Sequence, residues 1–145
     1  MKGIKTYLMT AIMVMAMAWS MSAQAQVLRD ADYKSVGRIA GNGLVRDASQ
    51  RSIGSFEADG TVKDKAGVTR GRISRLEIFD ASGTRIGYIK TDGTVCDGES
   101  RVLGTINLND GKVTDASHRV LGFARGIRVD WIACYYFFDF FKPTR

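Results

Sequence analysis

An aspartate followed seven residues later by a glycine occurs six times, at Asp30/Gly37, Asp47/Gly54, Asp64/Gly71, Asp80/Gly87, Asp97/Gly104 and Asp115/Gly122. Successive aspartates lie 17, 17, 16, 17 and 18 residues apart. A fixed interval of this length means one small supersecondary unit copied along the chain, and a unit this short cannot bury its own apolar face. When the units are aligned on Asp, Leu28, Val45, Val62, Ile78, Val95 and Val113 stand two positions before it. Ile39, Phe56, Ile73, Ile89, Ile106 and Ala124 stand nine positions after it. The position just before Asp is mostly polar. Apolar and polar residues in alternation, with β-branched types dominant, read as short half-buried strands.

The aspartate has a mechanical role in this reading. "DASG" and "DKAG" suit a type I turn in which the Asp carboxylate accepts the backbone N–H two residues on. The third residue after Asp then takes a left-handed conformation and closes a three-residue hairpin loop. Gly67 and Gly83 fit that position; Tyr33, Gln50, Ser100 and His118 occupy it elsewhere. The glycine seven after Asp falls inside the returning strand, where it predicts a bulge or a close backbone approach at a crowded axis. A second set of turns links the units at Asn42-Gly43, Asp59-Gly60, Asp92-Gly93 and Asp110-Gly111. These read as tight type I′ hairpins. The remaining link, "SRLEI" from Ser74, lacks the glycine and is one residue shorter, so it is expected to be irregular. The whole is an all-β antiparallel meander whose hairpins share a core by radial closure or by stacking.

The flanks differ from the repeat. Lys2 and Lys5 precede an apolar run from Tyr7 to Trp19, then "SMSAQA" with Ala23 and Ala25 at small-residue positions. This is the layout of a secretory signal peptide. Residues 1–25 are expected to be removed, leaving Gln26 first and directing the protein to the periplasm, the envelope or the exterior. Residues 26–124 carry the repeats, and 125–145 form an aromatic end of the same domain. That end, "RGIRVDWIACYYFFDFF", places seven aromatic residues between Trp131 and Phe141. Two readings stand: a terminal strand that plugs or closes the core, or an aromatic contact surface.

The units "DASGTRIGYIKTDGTVCD" and "DGTVKDKAGVTRGRI", followed by "ARG", a Trp and a Phe-rich end, resemble small exported bacterial proteins called five-fold β-flower proteins. The resemblance implies a radial arrangement of about five antiparallel petals closed by the aromatic C-terminal segment, and it implies no activity. The chain departs from the ideal unit at "SRLEIFD" and at Arg70, where other units carry an apolar residue.

Several function classes lose support here. The net charge is +6, and removing Lys2 and Lys5 leaves 6 − 2 = +4. These charges are mixed in sign along the chain and form no basic block, so no nucleic-acid partner is expected. The sole histidine, His118, lies in a turn, and no carboxylate pair or phosphate loop stands out. Six repeated aspartates could line a rim for calcium, yet "DxDxDG" is absent and turn chemistry accounts for each Asp. No enzyme activity, cofactor or metal is therefore expected. Cys96 and Cys134 could pair in an exported protein or stay free; spacing does not decide it. What remains is a structural or surface-assembly role in the envelope. The alternative is a binding module for a glycan, a lipid head group or a protein, acting through the loop rim or the aromatic tail. The candidate contact residues are Arg51, Arg101 and Arg119 on the rim and Trp131, Tyr135 and Tyr136 on the tail.

Overall fold

A computed structural model of the chain describes residues 26–141. The expected signal peptide lies outside the described residues. Within them are twelve strands and one helix. The strands are β1 (Val27–Asp30), β2 (Ser35–Ile39), β3 (Leu44–Asp47), β4 (Ser52–Phe56), β5 (Thr61–Asp64), β6 (Thr69–Ser74), β7 (Glu77–Asp80), β8 (Arg85–Ile89), β9 (Thr94–Asp97), β10 (Val102–Ile106), β11 (Lys112–Asp115) and β12 (Val120–Phe123). The helix is α1 (Val129–Tyr136). Each strand pairs antiparallel with its sequence neighbours, and β1 pairs with β12 through Arg29↔Phe123 and Asp30↔Gly122. The meander is thus a closed barrel, which leaves no edge strand exposed.

The alternation read from the sequence sets the wall. Leu28, Val45, Val62, Ile78, Val95 and Val113 are fully buried and point inward. Ile39, Phe56, Ile73, Ile89 and Ile106 join them from the returning strands, in register with the next unit as Ile39↔Val45 and Ile106↔Val113. Burying each such side chain contributes roughly 1.5–3 kcal/mol.

The Asp turns form as the sequence predicts. Tyr33, Gln50, Ser100 and His118 have φ between 65° and 67°, and Gly67 and Gly83 share the left-handed region. Each carboxylate accepts two backbone N–H groups; Asp80 Oδ1, for example, takes Ser82 N at 3.0 Å and Thr84 N at 2.9 Å. The linking turns differ from the expected type I′. Asn42, Asp59 and Asp92 are not left-handed; only the glycine after each is. Gly60 N donates to Glu57 O at 3.0 Å, a type I turn followed by a left-handed glycine, as at the opposite end. The cause is the acidic or amide side chain, which accepts the N–H two residues on, as in Thr61 N to Asp59 Oδ1 at 3.0 Å. The extra residue of the last interval widens its turn, where Gly111 N donates to Asn107 O four residues back. The irregular link is the one pair of consecutive left-handed residues, Arg75 at φ 52° and Leu76 at φ 65°, and so the one type I′ geometry among the linking turns.

The tail is a helix rather than the expected terminal strand. A closed barrel offers no free edge for a further strand, whereas a helix satisfies its own backbone hydrogen bonds. Trp131, Ile132, Ala133 and Cys134 are all buried. Four consecutive helical positions sweep most of a turn, so α1 is surrounded on every side and occupies the lumen. Closed barrels of similar strand number enclose a central helix in the same manner. Cys96 and Cys134 are buried, unbonded thiols.

Candidate functional site

The lumen is where the repeat and the tail meet. At the glycine seven after Asp, the neighbouring strand passes close; a Cβ on Gly37 would lie 2.5 Å from the Arg46 carbonyl oxygen. The space left by the missing side chains is filled from inside. A Cβ on Gly54 would meet the ring of Phe141, on Gly71 that of Phe140, on Gly87 that of Phe138, on Gly104 that of Phe137 and on Gly122 that of Tyr136, each within 2.7 Å. The five rings follow the chain in one direction while the five glycines follow it in the other. At Gly37, the sixth, no ring comes as close; its nearest side-chain atom is on Leu28 at 3.5 Å.

This geometry fixes the candidate aromatic contacts. Trp131 stacks on Phe56 with centroids 5.1 Å apart and planes at 9°, and Phe141 meets Phe56 edge-on. The half-buried Tyr136 donates its hydroxyl hydrogen to Arg29 O at 2.6 Å, tying the plug to the strand that closes the barrel. Burial pushes its phenol well above the ordinary range. Tyr135, also half-buried, packs edge-on against Tyr136; burial raises its phenol, and the Asp47 carboxylate adds to the effect. Trp131, Tyr135 and Tyr136 thus pack with the core cluster.

The three arginines of the rim lie apart from the tail. Their side chains are 79%, 73% and 82% exposed at Arg51, Arg101 and Arg119. Each reaches back to the Asp of its own turn, Arg101 Nε to Asp97 Oδ2 at 2.9 Å. The backbone amide of the same arginine is the main cause that holds Asp47, Asp97 and Asp115 below the usual carboxylate range. Asp80 is held low first by the Ser82 hydroxyl, and Asp59 and Asp92 by the amides of Thr61 and Thr94. A carboxylate bonded to two amides and held ionised is a poor proton donor near neutral pH. His118 sits exposed in its turn. Among the described residues, no three His, Cys, Asp or Glu side chains converge as a metal site.

The end of the barrel where α1 begins carries two clefts, of about 160 Å³ and 180 Å³. The first is bordered by Glu57, Asp59, Arg75, Arg128, Asp130 and Trp131. Its centre is an ion pair that the sequence reading missed. Arg128 donates from Nη2 to Asp130 Oδ2 at 2.6 Å and from Nε to Oδ1 at 3.1 Å, and lies 4.8 Å from the Trp131 ring centre. Asp130 is buried and also accepts the Trp131 N–H. The pair anchors the first turn of α1, with the acid favourably placed at the positive end of the helix. "RVDW" gave no signal for it, because the pairing depends on the segment being helical. The second cleft is lined by Ile106, Leu108, Ala124, Ile127 and Ile132, with no charged side chain in it.

The sequence matches the family described as 5-fold beta-flower protein over residues 20–141. No curated protein and no solved structure matches the chain.

Proposed function

The chain belongs to the 5-fold beta-flower family, and from that premise we propose that it is an exported, non-catalytic repeat protein with a structural or surface-assembly role in the cell envelope. The observation that carries this reading is how the reactive and aromatic groups are used. The repeated aspartates are bonded to backbone amides of their own turns, and the tail aromatics pack on glycines, on each other or on Phe56 of the wall. The two clefts are small beside the roughly 300–1,000 Å³ of an ordinary small-molecule site. Export is supported by Lys2 and Lys5, the apolar run to Trp19 and the small residues Ala23 and Ala25.

Two measurements in the native host test the reading. Fractionation with N-terminal sequencing should return a chain that starts at Gln26, outside the cytoplasm. Affinity purification from the envelope should bring the protein down with an envelope component in a complex that survives high salt. Intact Met1 in the cytoplasm, or a free monomer with measurable turnover of a substrate, would overturn it.

A further inference from the structure

The outer wall carries a charge asymmetry that is invisible in the linear sequence. Two outward positions recur in every unit, one before the Asp and one eight after it. Around the barrel they form a single belt, one residue per strand, at equivalent heights in successive units. On β1 to β6 the belt reads Arg29, Arg38, Arg46, Ser55, Lys63 and Arg72. On β7 to β12 the same positions hold Phe79, Tyr88, Cys96, Thr105, Thr114 and Phe123, of which Cys96 is buried beneath its neighbours and adds nothing to the surface. Five of the six belt positions on one half are cations and none of the six on the other half is charged, the nearest cations there being Arg85 opposite Phe79 and Lys112 opposite Phe123.

The cations are poorly neutralised. Arg38 and Arg46 stand directly opposite each other on paired strands, an arrangement that is destabilising for like charges. Arg38 makes no hydrogen bond or ion pair among the described residues. Arg46 donates to Gln50 O at 3.4 Å, and Arg29 to Tyr33 O at 3.0 Å. Arg72 lies over the Phe79 ring at 5.2 Å. Only Lys63 has a carboxylate, Glu57 at 4.0 Å. Both ends of the arc carry an arginine against an aromatic ring: Arg29 is 4.5 Å from the centre of Tyr33, a ring 60% exposed, and Arg72 lies over Phe79.

We propose that this arc, from Arg29 to Arg72 across β1 to β6, binds a linear acidic polysaccharide. Strands lie about 4.8 Å apart, so the cations recur at short steps around the wall, directly opposite at Arg38 and Arg46, staggered by two residues between Arg29 and Arg38, and interrupted once at Ser55. A polymer bearing one carboxylate per sugar can follow that curve and place an anion at successive strands. A flat bilayer touches a convex wall along the barrel axis, and so meets few cations that are arrayed around it. The exposed tyrosine at one end gives a sugar ring an apolar face to stack on. The proposal concerns the wall and does not require export, so fractionation and binding can fail independently.

The test titrates the purified protein with polygalacturonate at low salt, with neutral dextran, phosphatidylglycerol vesicles and oligo(dT) as comparisons. Polygalacturonate should bind and dextran should not. Arg38→Ser/Arg46→Ser should weaken binding roughly tenfold or more, with an unchanged or higher Tm because a like-charge contact is removed. Lys90→Ser/Lys112→Ser removes the same net charge from the other half and should change binding less than about twofold. Lys63→Ser/Arg72→Ser is a second disruption of the arc and should act like the first pair. Equal losses from both halves, no binding of polygalacturonate, or tighter binding to vesicles or oligo(dT) would each overturn the proposal.

Discussion

The one-to-one match of glycines and rings predicts that an added methyl group will act differently at chemically identical positions. Gly87 and Gly37 occupy the same place in their units. A Cβ on either would press on a neighbouring carbonyl, Cys96 O at 2.6 Å or Arg46 O at 2.5 Å. A Cβ on Gly87 would also press on the ring of Phe138, whereas the nearest side-chain atom to one on Gly37 is on Leu28 at 3.5 Å. Phe138 is 7% exposed and has little room to retreat. Gly37→Ala therefore reports the carbonyl contact alone, and Gly87→Ala reports that contact plus overpacking of the plug. Inserting a methyl group into a filled core costs about 1–3 kcal/mol. At roughly 4 °C per kcal/mol for a domain of this size, Gly87→Ala should melt about 4–12 °C below Gly37→Ala. Circular dichroism melts of both variants give the comparison. A double-mutant cycle sharpens it. Phe138→Ala alone should cost about 3–5 kcal/mol, and in the Gly87→Ala background about 1–2 kcal/mol less, since the methyl group then enters vacated space. Equal melting temperatures for the two alanine variants, or strict additivity in the cycle, would falsify the lock between repeat and tail.

Further outcomes follow from the same structure. Deleting residues 129–145 removes Trp131, Ile132, Phe138 and Phe140 from the core, several losses of roughly 3–5 kcal/mol each against a total of about 5–15 kcal/mol, so the truncated chain should show no cooperative melt. Gln50→Gly replaces a left-handed non-glycine residue at φ 67° and should be neutral or stabilise by up to about 1 kcal/mol; a clear loss of stability would contradict the turn assignment. Asp47, Asp59, Asp80, Asp92, Asp97 and Asp115 have carboxyls held below their ordinary value of 3.8. Their stabilisation is present above that value and lost as pH falls through the lowered ones, so Tm should drop below about pH 4, and a Tm unchanged down to pH 2 would oppose it. Burial pushes the Cys134 thiol well up, with the Asp130 carboxylate adding to it, so iodoacetamide should leave Cys134 unmodified in the native protein and label it after denaturation, as read by mass spectrometry.

Much of the fold was legible because its determinants are local. Asp at the start of each turn and the left-handed residue three later are dictated by backbone chemistry, and the structure has both in all six units. The linking turns were misread because Asn-Gly and Asp-Gly suit two turn types. A side-chain oxygen bonded two residues on selects between them, and that bond depends on where the strands end. The tail's seven aromatics left core and contact surface both open, and the core reading took the segment for a strand. Its helical form follows from a barrel that is already closed, a global property. The pairing of tail rings with glycines was open to counting, since both series are regular, yet their opposite directions appear only once α1 runs along the lumen. The ion pair of Arg128 and Asp130 and the cationic arc share one reason for escaping notice: each joins residues that only the folded backbone brings side by side.

Closure by the first and last strands around the last residues also sets the order in which the molecule can be completed. Until the segment from Tyr136 to Phe141 is in place, the five glycines of β4, β6, β8, β10 and β12 face unfilled space, and β1 waits for β12 before the ring can shut. A chain emerging from the N-terminus can form local hairpins but cannot reach a sealed state, whatever its length short of the full barrel. Completion is therefore gated by the final segment, and the slow step in refolding should involve long-range pairing rather than hairpin formation. A barrel built this way therefore gains its lumenal packing and its last strand pairing, β1 to β12, together.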